Sequence, residues 1–482
     1  MSKELSEILH EGLKKYFGFD EFKEGQEETL ISLLNRHSTL AILPTGTGKS
    51  LCYQLFAKIT GRRVLVISPL ISLMQDQVEQ MKYNKLTNVV ALTSSLSREE
   101  RNYILHNLEK YQFIFASPEI LKNEYIFQKI KTIGIELLVV DEAHCIVEWG
   151  PDFRPDYLLL GEIREKLKNP LVLALTATAT PKVANEITRE LNFNSEDKVI
   201  RYSVDRPNIM LATETLDGEK EKNNRLIELV STIKGPGLIY FSSKKKADEI
   251  AELLNKKTRL KVASYHADLN LEDRYSVQHQ FINNKLDLIC ATSAFGMGVN
   301  KKDIRYVIHY HLPGDLESYV QEIGRAGRDG KKSIAILLYC LGDENIQYQI
   351  LKGSLPTVSD IKYYAEHKEL LHNIKNEEFE LLKAFFAMNI SADDLLKFFA
   401  ERKRDKNQAL IKMIDYINSD KCKRQYILDY FQDLKKIKHG ENCCTYNKNY
   451  NLKQLGLKLQ EQTKEKIEFL DYKELMKKLF AI

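Results

Sequence analysis

The first part of the chain alternates short apolar runs with helix-length amphipathic stretches. STLAILPT (38–45), RRVLVISP (62–69), QFIFASPE (112–119), IELLVVDE (135–142) and LVLALTAT (171–178) are apolar cores flanked by Pro, Ser, Thr, Arg or acidic residues. Runs this short and this continuously apolar predict strands buried on both faces, and their alternation with helical stretches predicts a parallel α/β sheet. A polar stretch from Thr213 to Asn224 reads as the entry to a second unit. There the rhythm restarts with GLIYFSS (237–243), LKVASYHA (260–267), DLICATSA (287–294), IRYVIHYH (304–311) and SIAILLYC (333–340). Two successive α/β domains of comparable size are implied. From Leu341 onward the β-branched runs stop, and segments such as IKYYAEHKELLHNI and KNQALIKMIDYINS carry helical spacing, as does 451–480. The expected layout is a first domain over 1–208, a second over 209–342, a helical module over 343–448 and a helical tail over 449–482.

Composition narrows the class. The 482 residues allow two to four domains at roughly 100–200 residues each. A content of 43% hydrophobic and 29% charged residues excludes disordered and collagenous chains. No apolar run approaches the roughly 18 residues of a membrane span. The amino-terminal MSKELSEILHEGLKKYFG mixes acids with lysines, so it reads as a helix and not a signal peptide. The expected setting is therefore cytoplasmic, nucleoid-associated in a bacterium, without a membrane partner. Seven Cys make no disulfide framework, and Cys52, Cys145, Cys290 and Cys340 stand singly, as buried thiols do. The net charge of +4 does not require a polyanion, yet residues 401–448 hold 12 Lys/Arg against 7 Asp/Glu, a mildly basic carboxyl-terminal element.

Chemistry concentrates at a few points. LPTGTGKS (43–50) follows a strand-like run and precedes a helix-forming one. Its small residues Thr45, Gly46, Thr47 and Gly48 can turn backbone N–H groups around phosphate, Lys49 adds a cation, and Ser50 offers a hydroxyl to Mg²⁺. Asp141 and Glu142 end the run IELLVV, where an open sheet keeps its ligands; Asp141 is the natural Mg²⁺ anchor and Glu142 the group for the attacking water. A solvated acidic pair is the alternative. In QEIGRAGRDG (321–330), Arg325 and Arg328 lie three apart, on one face if the segment is helical, where they could stabilise charge on a terminal phosphate. Surface charge is the competing reading. Gln26 has an amide able to read adenine, and its residues alone leave that open.

Together these motifs resemble the superfamily-2 helicases, specifically the RecQ family of DNA helicases. The resemblance implies two RecA-like domains, an ATP- and Mg²⁺-dependent motor, and single-stranded and tailed or forked duplex DNA as partners. FGFDEFKEGQ is similar to the family's adenine motif, giving Phe19, Lys23 and Gln26 the base, with Lys23 where the family usually has Arg. SPLISLMQDQV (Ser68, Pro69, Gln75) and ASPE (Ser117) resemble strand-tracking motifs, as do YHADL (His266) and ATSAFGMGVNKKDIRYVIHYHLP (Thr292). In the latter Asn300 and Lys302 stand for the usual Asp and Pro, and Asp268 of YHADL stands for Gly. DEAH makes His144 a link between nucleotide and the inter-domain contact, and TATAT (176–180) a relay. CIVEWGPDFRPDY (145–157) resembles the family's aromatic-rich loop, which casts Trp149, Phe153 and Arg154 as DNA contacts; core packing of the single Trp is the alternative. Glu148 and Pro151 depart from the family's Gln and His. The final motif carries Gln321, Arg325 and Arg328 into the hydrolysis site.

RecQ-like chains follow the motor with a zinc module. CKRQYILDYFQD (422–433) resembles its helix and KHGENCCTY (438–446) a decayed ligand loop, so Cys422, His439, Cys443 and Cys444 could form a Cys₃His zinc site. Neighbouring Cys443 and Cys444 fit this awkwardly, and a metal-free module packed through Tyr426, Ile427, Leu428 and Phe431 is the alternative. Only 38 residues follow Cys444, so a winged-helix wedge and the further helicase-and-RNase-D-like domain are not expected. The function expected is an ATP-dependent helicase translocating 3′→5′ on single-stranded DNA in repair or recombination, working as a monomer with a single-strand-binding protein as a candidate partner. The alternative is a DNA-stimulated translocase that remodels protein–DNA complexes and unwinds weakly.

Overall fold

A computed structural model describes residues 2–148, 155–296, 301–373, 377–446 and 450–459. Among them the first sheet holds β1 (Thr39–Ile42), β2 (Val64–Ile67), β3 (Val89–Leu92), β4 (Phe113–Ala116), β5 (Leu137–Val140), β6 (Leu171–Thr176) and β7 (Lys198–Arg201). Its order is β3-β4-β2-β5-β6-β1-β7, and every pairing is parallel. The central strands are apolar because helices cover both faces: each residue of β1, β2, β4 and β5 is buried. Two cores result, one on each side of the sheet. The loops that follow β1, β5 and β6 emerge from adjacent strands at the carboxyl edge, where ligands of open α/β sheets collect.

The second sheet holds β8 (Ile209–Leu216), β9 (Gly237–Tyr240), β10 (Val262–Tyr265), β11 (Leu288–Ala291), β12 (Tyr306–His309) and β13 (Ser333–Cys340). Its order is β10-β11-β9-β12-β13-β8, again parallel throughout. The polar stretch Thr213–Asn224, expected at the entry to the second unit, lies inside it. It is the end of β8 followed by the helix Glu219–Thr232; β8 lies at the sheet's margin and needs only its first residues buried. The chain crosses between sheets earlier, through residues 202–208.

Helices Val358–Glu366, Glu377–Ala387, Ala392–Asn418 and Lys423–Tyr430 build the carboxyl-terminal region. Leu355, Ile361, Leu382, Phe385 and Phe399 form its own core. Farther along the long helix, Leu410, Met413 and Tyr416 join Tyr319, Ile427, Leu337 and Phe431 in a core shared with the second sheet. The described part of the tail departs from its expected helix. Residues 452–456 form a turn, Leu455 and Leu457 pack under the second sheet, and Leu459 N–H donates to Thr232 O at 2.9 Å. The protein is thus two parallel-sheet, RecA-like domains followed by a mainly helical region. No helix of the described residues is long and apolar enough to cross a membrane.

Candidate functional site

The phosphate loop lies between β1 and the helix Ser50–Thr60. Gly46 and Gly48 have φ of 93° and 74°, a left-handed backbone that glycine adopts without a Cβ penalty. Thr47 Oγ1 donates to Pro44 O at 2.9 Å, tightening the turn. Lys49 and Ser50 are half-buried at the helix start, where free N–H groups favour an anion. Gln26 also belongs to this loop: its amide donates to Thr47 O at 2.7 Å and Gly48 O at 3.0 Å, while its Oε1 accepts from Lys23 N–H at 2.9 Å. Lys23 Nζ reaches Gly46 O at 2.9 Å, and burial first, then Lys302 and Arg206, lower its pKa. Phe19, 57% exposed, stands free of the core.

Asp141 and Glu142 leave β5 toward the same edge. Asp141 N–H donates to Ile67 O at 2.9 Å, and Glu142 is held at φ 49°, a costly conformation for a non-glycine residue and one that functional sites often retain. Burial, with the Glu142 charge second, raises the Asp141 carboxyl against the pull of Lys49. Glu142 Oε2 is buried without a hydrogen-bond partner. Two crowded carboxylates within reach of the Lys49 charge, one with a buried oxygen that accepts no hydrogen bond, suit a hard divalent cation such as Mg²⁺. His144 Nδ1 lies 3.1 Å from Thr176 Oγ1 and 3.5 Å from Glu142 Oε2. Burial lowers its pKa against the pull of Glu142, and its position links DEAH to TATAT.

The arginine segment meets this edge from the second domain. The helix Leu316–Ile323 ends before Arg325, so the two arginines do not share a helical face: Gly327 and Gly330 take φ of 54° and 79° and turn the chain between and after them. Arg325 donates to Gly296 O within its own domain. Arg328 lies against the phosphate loop, its Cγ 3.5 Å from where a Cβ on Gly46 would sit. Burial, then Arg325 and Arg206, lower the Arg328 pKa to about 10, with Glu142 opposing. Gln321 is half-buried on the helix that leads into the segment. Arg206, which carries no spacing signal in the sequence, bridges the two sides: it donates to Thr45 O and Gly324 O, both at 2.9 Å.

The expected strand contacts fall at the carboxyl edges of both sheets. Ser68 and Pro69 are buried after β2, with Ser68 Oγ lacking a partner; Gln75 is exposed and Ser117 half-buried. Thr292 is half-buried after β11, and its N–H donates to Tyr265 O at 3.1 Å. His266 is buried and its Nε2 lies 3.0 Å from Asp248 Oδ1. Trp149, Phe153 and Arg154 lie outside the described residues, as do Pro151 and Asn300. The two domains also touch where Gln278 Nε2 donates to Asp76 Oδ2 at 2.7 Å.

A second constellation lies in the carboxyl-terminal region. Donor atoms of Cys422, His439, Cys443 and Cys444 all lie within 4.8 Å of one another. Cys422 Sγ is 3.5 Å from Cys443 Sγ and 3.6 Å from Cys444 Sγ, and Cys444 Sγ is 3.8 Å from His439 Nδ1. Tetrahedral zinc with thiolates at ~2.3 Å spaces its donors by roughly 3.8 Å, so the four residues fit. The adjacent cysteines converge because the backbone is pinned: Leu211 N–H donates to Cys443 O at 3.2 Å and Thr445 N–H returns to Leu211 O at 2.9 Å. The Cys443 thiol first, and the backbone N–H groups of Tyr446 and Lys423, lower the Cys444 pKa against its burial.

Comparison with known proteins gives the same account. Residues 23–187 match the DEAD/DEAH box helicase model, 221–330 the helicase conserved C-terminal domain, and 380–446 the RecQ zinc-binding model. The probable ATP-dependent DNA helicase RecS of Bacillus subtilis is 41% identical over 456 residues, 91% of this chain and 91% of that protein. The ATP-dependent DNA helicase RecQ of Haemophilus influenzae is 41% identical over 384 residues, 74% of this chain and 61% of its own length. Among solved structures, the Mycobacterium smegmatis helicase Lhr shares the fold at TM-score 0.60 and 18% identity, over 85% of this chain and 57% of that one. Fold and site therefore define a superfamily-2 helicase, an enzyme that uses ATP and Mg²⁺. The chain belongs to the RecQ family and is an ATP-dependent DNA helicase whose carboxyl-terminal region matches the family's zinc-binding model.

Proposed function

We propose that this protein hydrolyses ATP at the seam between its two RecA-like domains to move 3′→5′ along single-stranded DNA, opening tailed or forked duplexes during repair or recombination. The observation that carries the reading is the seating of Arg328, from one domain, 3.5 Å from the Cβ position of Gly46 in the other. Lys49 and the N–H groups of Thr45 to Ser50 hold the phosphates, and Phe19, Lys23 and Gln26 hold the base end. Ser50 and Asp141 would hold Mg²⁺, which supplies charge neutralisation when bound. Glu142 orients or deprotonates the attacking water, and Arg328 faces the developing charge. Arg325 follows on release from Gly296, and Gln321 lines the same seam. Ser68, Pro69, Gln75, Ser117, His266 and Thr292, with Trp149, Phe153 and Arg154, contact the strand. The working units are 1–208, 209–342, 343–448 and 449–482, in a cytoplasmic monomer, nucleoid-associated in a bacterium, that meets single-strand-binding protein on its track.

The test pairs ATP turnover, with and without single-stranded DNA, with fluorescent strand separation on 3′- and 5′-tailed duplexes. DNA-stimulated turnover, abolished in Lys49→Ala and Arg328→Ala, and opening of 3′-tailed substrates are expected. Equal turnover with and without DNA, or opening confined to 5′-tailed substrates, overturns the reading.

A further inference from the structure

Resting on that reading of the seam, we propose that Arg206 is a positioning residue for ATP hydrolysis. It fixes the gap between the phosphate loop and the arginine segment, and Arg424 of the zinc-ligand helix holds it in place through Asp205.

Arg206 stands in the crossing between β7 and β8. Its Nη1 donates to Thr45 O and Gly324 O, each at 2.9 Å, and its Nη2 to Ala326 O at 3.1 Å and Gly327 O at 2.7 Å. All four acceptors are backbone carbonyls, so the guanidinium reads main-chain position and not a neighbouring charge. One carbonyl belongs to the first domain's phosphate loop and three to the second domain's arginine segment. The planar fork fixes the directions of these bonds, and a shift of about 1 Å between the sides takes at least one beyond hydrogen-bonding range. Thr45 precedes Gly46, the residue on which Arg328 rests, and Gly327 precedes Arg328. The bridge thus brackets the contact through which the second domain addresses the phosphates.

The other half of the device is a buried acid. The Asp205 carboxylate, on a side chain only 1% exposed, accepts from Arg424 Nη1 at 2.6 Å and Lys435 Nζ at 2.8 Å. Arg424 also donates to Arg206 O at 2.9 Å, to Ile209 O, and to Cys443 O at 3.3 Å. One guanidinium therefore grips both the crossing that carries Arg206 and the loop that carries the metal ligands. Burial lowers the Arg206 pKa against the pull of Asp205 and Asp329, and Arg206 in turn lowers the pKa of both Lys23 and Arg328. The bridge therefore sits among the cations that surround the phosphate loop, with Glu142 acting on Arg328 from the first domain.

The test uses the full chain carrying Arg206→Ala, Arg206→Lys or Asp205→Asn, with Lys49→Ala and Arg328→Ala as references. The readouts are kcat and KM for ATP at saturating single-stranded DNA, affinity for a fluorescent ADP analogue, and thermal melting. A misplacement of about 1 Å near the reacting groups costs on the order of 100-fold, so Arg206→Ala should lose roughly that in kcat, with analogue affinity within about threefold of wild type. Arg206→Lys, with a point charge for a fork, should recover only part, and Asp205→Asn should fall between. Retained kcat in Arg206→Ala, or a loss that tracks analogue affinity, overturns the proposal. If Arg206→Ala does not fold, Arg206→Lys and Asp205→Asn are judged by the same criteria. Full turnover in Lys49→Ala and Arg328→Ala would instead sink the seam reading, whereas their inactivity beside an active Arg206→Ala sinks only this inference.

Discussion

Lys423 offers a quantitative test of how the zinc-ligand helix is fastened. Its ammonium, 5% exposed, donates to Tyr416 O at 2.8 Å, Ile417 O at 2.7 Å and Ser419 O at 2.9 Å. These carbonyls close the end of the helix Ala392–Asn418, where no intrahelical N–H can reach them. In Lys423→Met the chain keeps its volume and loses the donors. Tyr416 and Ile417 are buried, so their carbonyls are left without partners at ~1–3 kcal/mol each, while half-buried Ser419 can turn to water. The gross cost of about 2–6 kcal/mol is reduced because the ammonium is no longer desolvated, and about 3 kcal/mol remains. Hydrogen–deuterium exchange measures this locally, which matters because a chain of several units does not unfold in one step. Amides of 413–430 should exchange roughly 100-fold faster in Lys423→Met at pH 7, with Lys423→Arg close to wild type. Unchanged exchange there would show that the ammonium contributes nothing net and refute the reasoning.

Other expectations follow from the same geometry. Glu317, which accepts a hydrogen bond from Tyr430 Oη at 2.8 Å, has its carboxyl pushed up to about 7 by burial and then by Asp315. The fold thus binds this proton more tightly than the unfolded chain does. Its contribution is complete below the ordinary carboxyl range of ~4.3 and is lost as pH rises through about 7; the melting temperature should fall between about pH 5.5 and pH 8, and Glu317→Gln should flatten that slope. A flat wild-type profile would contradict it. An added Cβ at Gly327, where φ is 54°, would collide with Asn208 Nδ2 and come within 2.6 Å of Ser333 Oγ and 2.7 Å of Lys331 O. Gly327→Ala should therefore cost about 3 kcal/mol and lower kcat; a melting temperature equal to wild type would be inconsistent with this packing. Elemental analysis of the reduced protein should find one zinc per chain, lost in Cys444→Ser together with helical signal, and a metal-free wild type would exclude the cluster as a zinc site.

Much of the fold is written in local pattern. Strands buried on both faces, such as LLVV of β5, must be apolar throughout, and a phosphate loop must keep its glycines, cation and hydroxyl within one turn of chain. Marginal strands carry weaker marks: β7 buries only Ile200, and β8 ends in a polar stretch that resembles a connector. The arginine spacing suggested a helical face, but glycines at positive φ break the turn and send Arg325 and Arg328 to different neighbours. Adjacent Cys443 and Cys444 fit one metal awkwardly on sequence alone, and their convergence depends on Leu211, which fixes the backbone on either side of Cys444. Arg206 was invisible for a simpler reason. Its partners at Thr45 and Gly327 lie far off in sequence, and carbonyl acceptors leave no trace in side-chain identity.

The pairing of Leu211 with Cys443 and Thr445 has a consequence for the protein's solubility. β8 lies at the rim of its sheet, bonded to β13 on one side, and the ligand loop occupies part of the other. Without that loop the rim would offer unpaired N–H and C=O groups to any passing strand, the usual route by which sheets grow into aggregates. A chain severed before the module would thus retain both catalytic lobes and still tend to self-associate, so the loop that carries Cys443 and Cys444 also acts as a guard against edge-to-edge assembly.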